Sequence, residues 1–144
     1  AGGRFGIGSD SNISVGPVSE LQYLEYGQRV ITGQRIRGRP DTTVPRHVGA
    51  ALWRGALAGG AQALGRSIGS ISAGCRADIV LLDGDHPSLA ARTGDALIDG
   101  WIFAASENPV RHVMVGGDWV IRDGCHRLET EIEERYREVV ARLA

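Results

Sequence analysis

The sequence predicts an α/β protein, and three observations carry that prediction. A short apolar segment runs into a polar cluster and then a helix, a second helical pattern rich in small residues follows, and from Gly69 onward β-rich runs are separated by Asp-Gly and Gly-Gly turns.

Arg4 to Ser9 alternates apolar and small residues around Phe5 and Ile7, as a short buried strand does, and it ends on Ser9-Asp10-Ser11-Asn12. After Pro17 comes Ser19-Glu20-Leu21-Gln22, in which Ser19 can cap a helix and Gln22 can reach back to the Ser19 amide. A helix is expected from about Ser19 to Val30. This is the order of a βα unit, where ligand chemistry gathers at the carboxyl end of the strand. Residues 31–43, with three arginines, two glycines and a proline and no period, predict an exposed loop. In the second helix Pro45 suits a first position. Val48, Ala51, Leu52, Ala56 and Leu57 recur at helical spacing until Gly59-Gly60, where an interruption is expected before a short turn at Ala61 to Leu64.

Ile79 to Gly84 is an apolar β run closed by Asp83-Gly84. About Gly94 to Ala105 is a packed helix, apolar on several sides. His112–Val115 and Trp119–Arg122 flank Gly116-Gly117-Asp118 as a hairpin, and Asp123-Gly124 offers a further turn. Leu128 to Leu143 is a helix with Glu131, Glu133 and Glu134 early and Arg135, Arg137 and Arg142 late, as the helix dipole favours. The expected divisions are residues 1–67, 68–127 and 128–144.

Composition narrows the function. With 144 residues, 42% apolar and 23% charged, the chain can build one core. All 16 basic residues are arginine, so no Schiff-base amine or P-loop lysine comes from this chain. A formal charge of −1 gives no overall pull toward nucleic acid or an anionic membrane, and neither is expected as a partner. Cys75 and Cys125 fall in no metal or disulfide pattern, which suits a reducing cytoplasm. Neither a leader peptide nor an apolar run of about 18 residues occurs, so neither a signal peptide nor a membrane span is expected. The opening Ala1-Gly2-Gly3, with Met114 as the sole methionine, is what a truncated or processed chain would show.

Asp10 is the leading candidate for chemistry, because a carboxylate at the end of a strand can face a cleft while the sheet fixes its backbone. Its plainer alternative is a turn former or helix cap. The context is a resemblance. The Ile-Gly-Ser-Asp-Ser strand end, the Ala-Gly-Gly-Ala-Gln-Ala-Leu-Gly helix and the run from Ile68 through Cys75 to Asp83 stand together in the order found in the final third of the amidohydrolase superfamily. The hairpin Val113 to Val120 is similar to the element that closes the small β-sandwich of those proteins. The resemblance implies the C-terminal part of a metal-dependent (β/α)8 TIM barrel plus part of a β-sandwich domain, with Asp10 as metal ligand and as acceptor of a proton from metal-bound water. Within the superfamily, Gly8 to Asn12 and Leu21 to Arg29 most resemble the formimidoylglutamate deiminase family of histidine degradation. That family is implied to hydrolyse N-formimidoyl-L-glutamate to N-formyl-L-glutamate and ammonia with one zinc ion (Zn2+).

The family's His-x-His pair and further histidine ligand have no counterpart here, so the chain alone is expected to be inactive. The expected partners are a small-molecule substrate, the missing N-terminal part of the same enzyme and, as an open alternative, a second copy forming a homodimer. Another deaminase or chlorohydrolase-like member of the superfamily, or a non-catalytic remnant, are the competing functions.

The remaining polar candidates have plainer explanations. His47, His86, His112 and His126 are scattered and suit structural roles. Arg29, Arg35, Arg37 and Arg39 could fork onto a substrate carboxylate, against which stands a solvated loop. Trp53, Trp101 and Trp119 are expected as packing anchors, Cys75 and Cys125 as inert thiols, and the glycines at 55, 59, 60, 65 and 69 as sites of close packing or tight turning.

Overall fold

A computed structural model describes residues 3–11, 13–33 and 47–143. The chain divides into two compact units, Ala1–Cys75 with Asp83–Pro109, and Arg76–Leu82 with Val110–Ala144.

The first unit is helical. Helix α1 spans Pro17–Thr32, α2 spans Val48–Leu64 and α3 spans Asp95–Phe103, with a short 3-10 turn at Pro87–Leu89. Ser19, expected to cap α1, lies inside it. Pro17 occupies the first turn, where its fixed φ suits a helix and its missing amide costs nothing, so Gly16 is the N-cap. Gln22 does not reach back to Ser19; its side-chain amide donates to the carbonyl of Ile102 in α3.

The expected break in α2 at Gly59-Gly60 does not occur: the helix runs through both. Propensity alone disfavours glycine there by about 1 kcal/mol, but a tertiary contact requires it. A Cβ on Gly59 would stand 1.8 Å from the carbonyl oxygen of Phe5, and one on Gly55 would stand 2.7 Å from the Phe5 ring. Small residues thus let residues 5–6 lie directly on α2. Gly65, left-handed at φ 61°, ends the helix and returns its amide to Ala61 and Gln62.

Around that seam Leu21, Ala56 and Ile102 form the core, with Phe5, Leu52, Trp53, Ile98 and Phe103 packed on it. The rings of Trp53 and Trp101 meet at 4.7 Å, as packing anchors would. Arg4 to Ser9, expected as a buried strand, is not one. Among the described residues no backbone runs beside it to supply ladder hydrogen bonds, and Ile7 is 36% exposed.

The second unit is a four-stranded antiparallel meander in the order β1 (Ile79–Leu82), β2 (Val110–Val115), β3 (Asp118–Arg122), β4 (Cys125–His126), followed by helix α4 (Glu129–Leu143). The register sets Ile79 opposite Met114 and Met114 opposite Trp119, so these three share a face. Both predicted turns are present. Gly116 and Gly117 have φ of 62° and 96°, and Asp123 and Gly124 have 50° and 82°, the paired positive φ that a two-residue hairpin favours. Asp78 accepts the Gly116 amide at 2.7 Å and Arg76 pairs with Asp78, which fastens the first turn to the stretch before β1. No described helix is long and apolar enough to cross a membrane.

Candidate functional site

Asp10 follows the segment that Gly55 and Gly59 seat on α2, and it sits in a turn with φ of 46°. Aspartate tolerates the left-handed region better than most residues, yet the conformation still costs on the order of 1 kcal/mol. Its side chain is exposed, and among the described residues no hydrogen bond or ion pair engages it. The turn half of the plainer alternative is therefore present, while no described residue bonds to the carboxylate to close that turn. Asn12 lies outside the described residues.

A catalytic zinc takes three protein ligands. Among the described residues no three histidine, cysteine, aspartate or glutamate side chains converge, so the described residues do not fit a complete metal site. Asp10 can supply one donor and no more.

Each histidine is engaged in local structure. His47 Nδ1 lies 2.8 Å from Asp99 Oδ2, His86 Nδ1 lies 2.7 Å from Ser88 Oγ, and the rings of His112 and His126 accept the backbone amides of Asp123 and Leu128. The Asp99 carboxylate also accepts the amides of Gly49 at 2.7 Å and Ala50 at 3.2 Å. It caps α2 from α3, because the N-cap residue His47 makes no capping bond of its own.

Arg29, a candidate for a substrate carboxylate, is held on α1 instead. Its Nε donates to Glu25 Oε1 at 2.9 Å and its guanidinium lies 5.3 Å from the Tyr26 ring centre. Glu25 is buried at 2% exposure, and sequence reasoning missed it. The available signal was its i,i+4 spacing from Arg29 within an otherwise amphipathic helix. Arg35, Arg37 and Arg39, together with Pro45, lie outside the described residues.

Two further polar clusters were not anticipated. Arg54 forks onto Asp95 through its two terminal guanidinium nitrogens, one contact being 2.9 Å, and this hydrogen bonding holds the Asp95 carboxyl below its ordinary range. Cys75, expected to be inert, has Ser70 Oγ at 3.2 Å and Ser72 Oγ at 3.7 Å from its sulfur. Hydrogen bonding from Ser70 first and Ser72 second lowers its thiol from the usual value by stabilising the thiolate. Neither residue type carries a sequence signal for this, since the serines meet the thiol only because the loop folds back on itself.

The sequence model of the amidohydrolase family matches residues 1–120. Formimidoylglutamate deiminase of Pseudomonas aeruginosa is 49% identical over 143 residues, covering 99% of this chain and 31% of that protein. A 5-methylthioadenosine/S-adenosylhomocysteine deaminase of Desulforamulus reducens is 31% identical over 99% of this chain and 32% of its own length. An amidohydrolase crystal structure from Brucella melitensis superposes with a TM-score of 0.82 and 38% identity, over 99% of this chain and 30% of the other. The chain thus spans about a third of the length of the relatives it matches.

Proposed function

The chain belongs to the amidohydrolase family, and from that premise we propose that it is part of a hydrolase acting on a C–N bond, with N-formimidoyl-L-glutamate as substrate. Water supplies the oxygen of N-formyl-L-glutamate and the imino nitrogen leaves as ammonia. The observation that carries this choice is the far deeper identity, along almost the whole chain, with the Pseudomonas deiminase than with the Desulforamulus adenosine-type deaminase. A purine-type deamination is the second possibility, since that relative also matches end to end.

In this proposal residues 1–67 complete a (β/α)8 barrel and the meander is part of a composite β-sandwich. Asp10 is both a ligand of a catalytic zinc and the chain's one residue at the reacting centre. Its exposed carboxylate, held on a short segment that is seated on α2, supports that role. The remaining ligands would come from outside this chain.

Ammonia release tests the choice. The complete polypeptide should release it from N-formimidoyl-L-glutamate and not from 5-methylthioadenosine, whereas the 144-residue chain alone should release it from neither. The opposite preference between the two substrates would move the function to the adenosine-type deaminases.

A further inference from the structure

Helix α4 leaves an apolar face uncovered. Every described residue of the helix is exposed, yet Leu128, Ile132, Tyr136, Val139, Val140 and Leu143 recur every three or four positions and share one side. Tyr136 is 68% exposed and Leu143 82%. A solvated surface helix needs no such stripe, and one this continuous marks an interface.

We propose that this face packs antiparallel on α4 of a second copy of the chain. Charge sets the direction of the pair. Glutamates 129, 131, 133 and 134 crowd the first half of the helix and arginines 137 and 142 lie in the second, with Arg135 and Glu138 flanking the midpoint on either side. A parallel pair would set like halves side by side, whereas an antiparallel pair sets acidic against basic and opposes the helix dipoles. The match extends to single residues. About a two-fold axis crossing the helix between Tyr136 and Arg137, Glu131 falls level with Arg142 of the second copy, and Arg135 with its Glu138. All four lie on the same flank of the stripe, and Ile132 falls within one residue of level with the second copy's Val140. Within one helix Arg135 already pairs with Glu131 at 3.0 Å and Arg142 with Glu138 at 4.0 Å, so dimerisation extends each couple into a row of alternating charge. A contact about 22 Å long is at the small end for a protein interface, so the pair is a reversible dimer in the micromolar range.

Sedimentation of the full chain across a concentration series tests this, with two charge-exchanged variants. Glu131→Arg/Arg135→Glu and Glu138→Arg/Arg142→Glu each keep an oppositely charged i,i+4 couple within the helix, but each sets like charges against its own copy. Each alone should dimerise about tenfold more weakly than the original chain. Mixed together they restore complementarity at every level, and the dimer should return. Ile132→Glu should abolish it. A chain that stays monomeric to about 100 μM, variants that dimerise like the original, or a mixture that gains nothing over its components would each overturn the proposal.

Discussion

Gly59 and Phe5 touch backbone to backbone, with a distance of 1.8 Å from the place a Gly59 Cβ would occupy to the Phe5 carbonyl oxygen. Five residues beyond Phe5 is Asp10, so the fit of one glycine in α2 bears on where that carboxylate is presented. Gly59→Ala should therefore destabilise the fold by about 3 kcal/mol. Its neighbour is the control: a Cβ on Gly60 meets nothing within 4 Å, so Gly60→Ala should be neutral or stabilise the helix by up to ~1 kcal/mol. Urea unfolding of the two variants checks this, and equal destabilisation would rule out the close approach.

Asp99 caps a helix to which it does not belong. Asp99→Ala leaves the amides of Gly49 and Ala50 without their acceptor and should cost about 1–2 kcal/mol. His47→Ala removes only one partner of that carboxylate and should cost less. Thermal unfolding of both variants gives the comparison, and a larger loss for His47→Ala would contradict the assignment of the cap to Asp99.

Cys75 should alkylate with iodoacetamide at a lower pH midpoint than an ordinary thiol, because the Ser70 and Ser72 hydroxyls favour its thiolate. Ser70→Ala should move the midpoint upward, and Ser72→Ala should move it less. A midpoint unmoved by Ser70→Ala would show that the hydroxyl does not reach the sulfur.

Stability in acid should depend on Asp95. Its carboxyl is lowered in the folded chain by hydrogen bonding from Arg54, so the contribution of the pair is fully present above the ordinary carboxylate value near 4 and is lost as pH falls through the lower folded value. Asp95→Asn should flatten the pH dependence of unfolding below pH ~4 while leaving the shape of the profile near neutrality unchanged. An unaltered acid limb would remove Asp95 from the linkage.

Local chemistry was the legible part of the sequence. The Gly116-Gly117 and Asp123-Gly124 turns, α3 and the C-terminal helix follow from residues that force positive φ or set a helical period, and both signals act within a few positions of themselves. What sequence pattern alone missed depends on partners distant in the chain. Gly59-Gly60 looked like a break because propensity carries no knowledge of Phe5, and Arg4 to Ser9 looked like a strand because alternation does not supply a neighbouring backbone. The cap at Asp99 and the fork at Asp95 join residues some 40 or 50 positions apart. The scattered histidines were legible as structural, since spacing that suits no metal leaves each to hydrogen bonds within the fold, His47 to the distant Asp99 and His86 to its neighbour Ser88. The role proposed for Asp10 rests on family resemblance, because its turn and its exposed carboxylate would look the same in a bland loop.

Turnover of N-formimidoyl-L-glutamate by the complete polypeptide carrying Asp10→Asn, set beside its far-ultraviolet circular dichroism, is the most direct test of the proposed role. The exchange removes the charge and keeps the size of a residue that already occupies the left-handed region. The rate should fall by at least about 10²- to 10⁴-fold with the spectrum unchanged. Near-normal turnover in a folded Asp10→Asn protein would remove Asp10 from the reacting centre.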